Sequence, residues 1–290
     1  MKILNIGSLN IDYVYQVDHM VAPGETLMAS KRDVYCGGKG LNQSIAMSRA
    51  GLQVNHAGCI GAEGMMLTDL LKENDVNVDA VEVLMESTGH AIIQVDTTGQ
   101  NCILLYGGAN RLLTKEYIDD VLKDYGENDI LLLQNEVNNL DYIIDSAYEK
   151  KMKIILNPSP YDSALDACDM TKISLFLLNE VEGKQMTGYD KPEDILTQLS
   201  KIYPNAEVVL TLGENGSVYQ CEGKRYAQKA YSVDAIDTTA AGDTFTGYFI
   251  AGMVEGKSPK ECLDLAAKAS SIAVTRQGAA PSIPYRNEVM

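Results

Sequence analysis

Short apolar runs recur along the chain, and each is followed by a stretch with helical periodicity. The runs are Lys2–Ile6, Val54–Cys59, Ile130–Leu133, Lys153–Leu156, Ile173–Leu178 and Glu207–Leu210. Each is bounded by Gly, Asn or Pro, which fits strands buried on both faces. Between them lie amphipathic segments near 40–50, 63–73, 114–124, 138–150, 179–186 and 191–202. Parallel strands need a crossover, and helices supply it, so this alternation predicts an α/β fold with a mostly parallel sheet. Two successive helices, 242–254 and 259–275, end the chain. No repeat, linker or low-complexity stretch divides the 290 residues, so a single domain over 1–290 is expected.

Two places break the alternation. Residues 12–18 and 28–35 are extended around the turn Ala22-Pro23-Gly24-Glu25, and 90–96 and 102–106 are extended around Thr97-Thr98-Gly99-Gln100. None of these strands has a helical crossover. They fit a small separate β-sheet, from about 12–36 and 90–106, that acts as a lid; an antiparallel edge of the main sheet is the alternative.

Composition removes several function classes. Lys and Arg number 24 against 40 Asp and Glu, a formal net charge of -16. That excess repels phosphate backbones and anionic lipid, so no nucleic acid and no membrane partner is expected. The six cysteines form no CxxC pair and fit free thiols in a reducing cytosol. The start, MKILNIGSLN, lacks the apolar core of a signal peptide, and no run approaches the roughly 20 residues of a membrane helix. A cytoplasmic location is the expectation.

Chemistry concentrates in four stretches. In Asp237-Thr238-Thr239-Ala240-Ala241-Gly242-Asp243, small residues lead into a helix whose first turn has unpaired N–H groups and the positive end of the dipole. Small side chains let a phosphate reach those groups, and the Asp243 carboxylate suits a base that takes a proton from a hydroxyl; a plain helix cap is the alternative. Cys36-Gly37-Gly38-Lys39-Gly40-Leu41-Asn42 follows a strand and opens a helix, without the Walker A spacing. Gly7-Ser8-Leu9-Asn10-Ile11-Asp12 leaves the first strand at the end where ligands bind in open α/β sheets; Asn10 and Asp12 could grip adjacent sugar hydroxyls or form an Asx turn. Asn179-Glu180-Val181-Glu182 reads equally as a capping box, and Glu136 stands just past a strand. His19, His56 and His90 fit no metal spacing.

Taken in order, these motifs resemble the ribokinase family of carbohydrate and nucleoside kinases. Asn10-x-Asp12, Pro23-Gly24-Glu25-Thr26, Gly37-Gly38-Lys39-Gly40-x-Asn42, Gly108-Ala109-Asn110, Asn157-Pro158, Asn179-x-x-Glu182, Thr211-Leu212-Gly213-x-x-Gly216, the Asp237–Asp243 stretch and Ala273-Val274-Thr275-Arg276-x-Gly278-Ala279-x-Pro281-Ser282 span essentially the whole chain. The resemblance implies a ribokinase-like three-layer α/β/α sandwich with a β-sheet lid. It also implies ATP-dependent phosphorylation of the primary hydroxyl of ribose, giving ribose 5-phosphate; another sugar (2-deoxyribose or a ketohexose) or a nucleoside as substrate, and a non-catalytic sugar sensor, are the alternatives. By the same resemblance Asp243 is the general base, and the N–H groups of Ala241, Gly242 and Asp243 form an anion hole. Asn10, Asp12, Gly38, Lys39, Asn42 and Glu136 hold the sugar. Asn179 and Thr211–Gly216, including Gly213 and Gly216, contact ATP, and Glu182 places Mg²⁺ through water. Asp237, Thr239, Ala273, Arg276, Gly278 and Ser282 match a site for K⁺. A homodimer pairing through the lid, with Val14, Val17 and Val34 exposed, is the expected assembly. Where the family often carries Asn or His beside the adenine, this chain has Ala266-Ala267-Lys268, a departure.

Overall fold

Successive side chains of a strand point to opposite faces, and in this chain that alternation divides the core in two. The computed structural model describes all 290 residues. Its strands are β1 (Ile3–Ile6), β2 (Asn10–Gln16), β3 (Lys31–Gly37), β4 (Asn55–Gly61), β5 (Asn77–Leu84), β6 (Gly89–Val95), β7 (Asn101–Tyr106), β8 (Ile130–Gln134), β9 (Lys153–Asn157), β10 (Leu175–Asn179), β11 (Glu207–Thr211), β12 (Ser217–Cys221) and β13 (Lys224–Gln228). Its helices are α1 (Lys39–Arg49), α2 (Met65–Glu73), α3 (Lys115–Leu122), α4 (Leu140–Glu149), α5 (Glu180–Thr187), α6 (Pro192–Ile202), α7 (Ala241–Val254), α8 (Pro259–Ala273) and α9 (Arg286–Val289). On β8, Ile130 and Leu132 join one apolar cluster while Leu131 and Leu133 join the other. On β10, Leu175 and Leu177 are divided from Phe176 and Leu178 in the same way. The first cluster is closed by α1, α2, α7 and α8, the second by α3, α4 and α6. These are the three layers that the resemblance implies.

The main sheet has nine strands in the order β13-β12-β11-β10-β9-β8-β1-β4-β5. It is parallel from β11 to β5, with β12 and β13 added antiparallel at one edge. A separate four-stranded sheet runs β3-β2-β6-β7. The two extended pairs therefore pair with each other, through a parallel register from Asn10↔Gly89 to Gln16↔Val95. β2 starts a few residues beyond the end of β1, so the chain passes from the carboxyl edge of the main sheet straight into the small sheet.

Three strands carry no signal strong enough to predict. β5 alternates charged with apolar residues at a half-exposed edge, and β12 and β13 are short and polar. The outermost strands β5 and β13 need only one covered face and so lack the continuous apolar run of the interior, and β12, between β11 and β13, is broken by the polar Ser217 and Gln220. In the small sheet, β2 begins two residues earlier than expected and β3 spans 31–37 rather than 28–35. Val17 is buried and Val14 half-buried; the exposed apolar residues of this sheet are instead Val34, Ile92 and the run Ile103, Leu104, Leu105 on β7.

Helix α7 packs tightly on α1 at Gly247. A Cβ at Gly247 would meet Ala46 Cβ at 2.4 Å and the Ala46 carbonyl carbon at 2.7 Å. In an isolated helix Gly→Ala gains about 1 kcal/mol of propensity, but overpacking costs about 1–3 kcal/mol, and backbone atoms cannot step aside. Gly247→Ala is therefore expected to lower the thermal midpoint, against the propensity trend. A midpoint at or above the parent's would show that the two helices can separate freely.

Candidate active site

The start of α7 is shaped by Ala240, which has a left-handed φ of 57°. That conformation is costly for a residue with a Cβ and persists only where the surroundings impose it. It turns the chain so that the first N–H groups of α7 face a cavity. The Ala241 N–H is spent on Thr238 O at 3.2 Å, whereas the N–H groups of Gly242 and Asp243 have no partner in the protein. Two donors rather than three are thus open, at the positive end of a 14-residue helix.

Asp243 is 7% exposed and both its oxygens are held. Gln43 Nε2 donates to Oδ1 at 2.9 Å and Asn42 Nδ2 to Oδ2 at 3.1 Å. Both donors stand in the first turn of α1, which begins at the Gly-Gly loop. Gly38 adopts φ 98° there, and a Cβ on it would meet Ser8 O at 2.9 Å, so the turn that starts α1 requires glycine. Asn42 Oδ1 is buried with no partner in the protein, an acceptor available to a ligand hydroxyl.

On the lid side lie Asn10, Asp12 and Glu136. Asn10 Oδ1 accepts from Asn110 Nδ2 at 2.8 Å, and Asn110 Oδ1 accepts from Leu9 N at 2.9 Å, which fixes both amides. Glu136 accepts from Lys39 N at 3.0 Å and from the Ser8 hydroxyl. Burial, with the nearby Glu136 carboxylate adding to it, pushes Asp12 up to about 7. Burial would by itself depress the Lys39 ammonium, but the carboxylates of Asp243, Glu136 and Glu182 together raise it.

A cavity of about 230 Å³ opens from Asp243 toward the ends of β9, β10 and β11. It is lined by Lys39, Asn157, Asn179, Glu182, Thr211, Thr238, Ala240 and Gly242, among others. Lys39, expected on the sugar, thus stands between the two halves of the site. Asn179 and Glu182 form a complete capping box: Asn179 Oδ1 accepts from the N–H groups of Val181 and Glu182, and Glu182 accepts from Asn179 N at 2.8 Å. Gly213 and Gly216 lie outside this cavity, in the turn joining β11 to β12. There Gly216 has φ 102°, and a Cβ would strike Gln228 O at 2.0 Å, so the hairpin alone accounts for that glycine. Ala266 and Ala267 are buried, and Lys268 is paired with Asp264 at 2.8 Å, so this stretch presents no free polar side chain to a base.

The loop after α8 is tied to the loop before α7. Asp237 Oδ1 accepts from Thr239 N and Oγ1, and Oδ2 accepts from Gly278 N at 2.9 Å. Burial opposes ionisation of Asp237, yet these hydrogen bonds hold it below the usual carboxylate range. The Arg276 guanidinium turns away to Glu288 at 2.5 Å, leaving its carbonyl as the group that could face the loop. Ser282 is fully buried and its hydroxyl donates to Ala279 O at 2.7 Å. The donors available here are all oxygen, one carboxylate among carbonyls and hydroxyls, which fits a monovalent hard cation. No group of three or more His, Cys, Asp or Glu side chains converges anywhere to cage a metal. Glu182, the carboxylate at the nucleotide end of the cavity, therefore fits a divalent ion held chiefly by phosphate and water.

Two residues in contact with this site carry no motif in the sequence, Gln43 and Gln134. Both are fully buried, and the only signal for Gln134 is a polar residue closing an otherwise apolar strand. A larger concavity of about 600 Å³ lies elsewhere, between Arg49, Arg276, Ile283, Tyr285 and Glu288. Its guanidinium groups are already satisfied, Arg49 by the carbonyls of Ala280 and Ile283 and Arg276 by Glu288, so it has little charge to offer a ligand.

Comparison with known proteins places this geometry. The model of the pfkB family of carbohydrate kinases matches residues 1–286. The ribokinase of Haemophilus influenzae is 33% identical over 98% of this chain and 96% of that protein. The crystal structure of ribokinase from Thermotoga maritima superimposes with a TM-score of 0.88 at 32% identity, covering 100% of this chain and 98% of that one. The ribokinase of Arabidopsis thaliana, solved with ribose and ATP, gives a TM-score of 0.86 at 30% identity over 99% and 97% of the two chains. No helix is long and apolar enough to cross a membrane. With its open helix start, its buried carboxylate and its motifs in register, the chain belongs to the pfkB family of carbohydrate kinases.

Proposed function

We propose that this protein transfers the γ-phosphoryl group of ATP to the 5-hydroxyl of D-ribose, giving D-ribose 5-phosphate and ADP. One observation carries the reading: a carboxylate fixed by two amides sits where the lid-side polar residues meet the cavity, beside two free N–H groups. Asn10, Asp12, Asn42 and Glu136 hold the sugar hydroxyls. Asp243 takes the proton from the hydroxyl as its oxygen attacks phosphorus, and the bond to the ADP oxygen breaks. The N–H groups of Gly242 and Asp243 face the charge that builds on the transferred group, and they need no reorganisation to do so. Lys39 balances phosphate charge from the opposite wall. Thr211 and the α5 start flank the nucleotide; Glu182 would hold Mg²⁺ through water, and the Asp237–Ser282 loops would hold K⁺. When bound, these cations supply positive potential at the phosphates.

The small sheet closes over the sugar and excludes water, which limits ATP hydrolysis. Its outer strand β7 leaves Ile103 58% and Leu104 68% exposed. An exposed apolar edge strand invites pairing, so the lids of two copies are proposed to cover each other in a homodimer.

Removal of a general base costs roughly 10²–10⁴-fold in rate. Asp243→Asn keeps the size of the side chain, and kcat is expected to fall by that order with ATP affinity little changed. A kcat within a few-fold of the parent, or a loss confined to the thermal midpoint, would leave Asp243 as a cap only.

For the cation loop, K⁺ is expected to stimulate turnover more than Na⁺; equal rates in K⁺ and in a bulky organic cation would rule the site out. For Asp12, the raised value near 7 against an ordinary 3.8 fixes the sign of a pH effect. The protonated folded form is favoured in that interval, so its stabilising contribution is full below the lower value and lost as pH rises through the upper one. Without ribose, the midpoint of Asp12→Asn minus that of the parent should therefore grow between pH 5 and pH 8. A constant difference across that range would place Asp12 in an ordinary carboxylate environment.

A further inference from the structure

Behind Asp243 a line of buried polar side chains runs through an otherwise apolar layer. Gln43 Nε2, which donates to Asp243, also donates to Asn157 Oδ1 at 3.2 Å, and Gln43 Oε1 accepts from Gln134 Nε2 at 2.7 Å. Gln134 Nε2 gives its second hydrogen to Asn5 Oδ1 at 3.0 Å. Asn5 Nδ2 donates to Gly40 O and to Ser44 Oγ, both at 2.8 Å, and Ser44 Oγ lies 2.8 Å from His56 Nδ1. Asn5, Gln43, Ser44, His56 and Gln134 are all fully buried.

The direction of every amide bond in this line is determined. A backbone carbonyl can only accept, so Gly40 O requires the amide nitrogen of Asn5 to face it. The Asn5 oxygen then faces Gln134 and takes a hydrogen from it. Gln134 can give its other hydrogen only to an oxygen, so Gln43 turns its oxygen to Gln134 and its nitrogen to Asp243. Asn157 fixes the same orientation independently, since its nitrogen donates to Leu177 O at 2.7 Å and its oxygen is left for Gln43. At the far end the Ser44 hydroxyl, already accepting from Asn5, meets His56 Nδ1, whose ring burial holds down at about 4. Gln134 reaches this position because Gly7 has no side chain: a Cβ there would lie 2.3 Å from Gln134 Oε1.

We propose that Gln134, anchored by Asn5, is a positioning residue for the phosphoryl-transfer step, acting through Gln43 to hold the Asp243 carboxylate in its productive orientation. A flipped Gln43 would set an amide oxygen against a carboxylate oxygen and swing Asp243 off the hydroxyl. Small errors in the placement of reacting groups cost large factors in rate. The proposal rests on the reading of Asp243 as the base.

The test compares Gln134→Met, which removes the donor at similar size, with Gln134→Glu, whose buried carboxyl holds a proton and so keeps one donor of the two. Both are made in the parent and in Asp243→Asn. In the parent background Gln134→Met is expected to lower kcat about 10-fold, with KM for ribose and ATP within about two-fold, as expected for a placement error alone. Gln134→Glu should lose less, since its proton can still be given to Gln43 Oε1. In Asp243→Asn neither change should lower the residual rate further, because residues acting as a unit are not additive. Asn5→Val, which removes only the anchor, should show a smaller loss of the same kind and serves if the Gln134 variants do not fold. Equal fractional losses in both backgrounds, or an unchanged kcat in the variants that fold, would overturn the proposal. Should Asp243→Asn itself retain full kcat, the reading of the base fails instead, and the two failures are thereby told apart.

Discussion

The site depends on one contact between helix starts. The first turns of α1 and α7 meet at the carboxyl edge of the parallel sheet, and Asp243 from one is gripped by Asn42 and Gln43 from the other. A helix start is an economical place for this, because its N–H groups are unpaired by construction. On α7 they remain open for an anion; on α1 the Lys39 N–H is used by Glu136, which brings a carboxylate from past β8 into the same site. The separation of the two helices is set further along, where Gly247 lies against the Ala46 backbone. A core packing contact thus sets the distance between the carboxylate and its two amides.

The polar line from His56 to Asp243 shows how such a site is held from behind. Leaving a buried polar group unpaired costs about 1–3 kcal/mol, and in this line Gln134 Oε1 and His56 Nε2 alone stay without a partner in the protein while the amide donors are all paired. Here the orientation is anchored at two backbone carbonyls, Gly40 O on α1 and Leu177 O on β10. Those carbonyls belong to elements fixed by the hydrophobic clusters, so the orientation of Gln43 inherits the rigidity of the sheet. An apolar filling of the same space could pack as well, but it could not choose which end of the Gln43 amide faces Asp243.

The layers are legible from periodicity because they rest on continuous apolar runs, and the interior strands of the main sheet follow them closely; the small sheet is legible from extended segments around turn residues. β5 and β13 are not legible, since an edge strand covered on one side needs no such run, and β12 between β11 and β13 is broken by polar Ser217 and Gln220. At the site, the Gly-rich and Asp-rich segments are visible because backbone access and charge demand particular residues at particular spacings. Asn179 illustrates the limit: capping and ligand contact ask for the same residue at the same place, and the side chain is occupied by the cap. Gln43 and Gln134 are invisible for a different reason. Each does its work through a partner distant in sequence, 200 residues separating Gln43 from Asp243 and 91 separating Gln134 from Gln43. Local pattern carries no trace of a hydrogen bond closed by the tertiary fold.

Charge poses the remaining problem. The molecule carries a net -16, yet its proposed co-substrate is an anion. Distant charges matter little, because salt screens exposed groups beyond about 8–10 Å. The local balance is what counts, and there Lys39 stands alone among Asp243, Glu136 and Glu182, with Asp12 and Asp237 close behind the two ends of the site. One ammonium and two peptide N–H groups cannot offset those carboxylates and a triphosphate together. The carboxylates cannot be dispensed with, since proton removal and sugar recognition both need acceptors. Cations supplied from outside resolve the conflict: a divalent ion on the phosphates near Glu182 and a monovalent ion in the Asp237 loop would raise the potential where the nucleotide binds, without placing a second basic side chain near the base. An additional lysine beside Asp243 would favour phosphate binding but weaken the carboxylate as a proton acceptor, whereas an ion that arrives with the nucleotide adds its charge only when the phosphates are present.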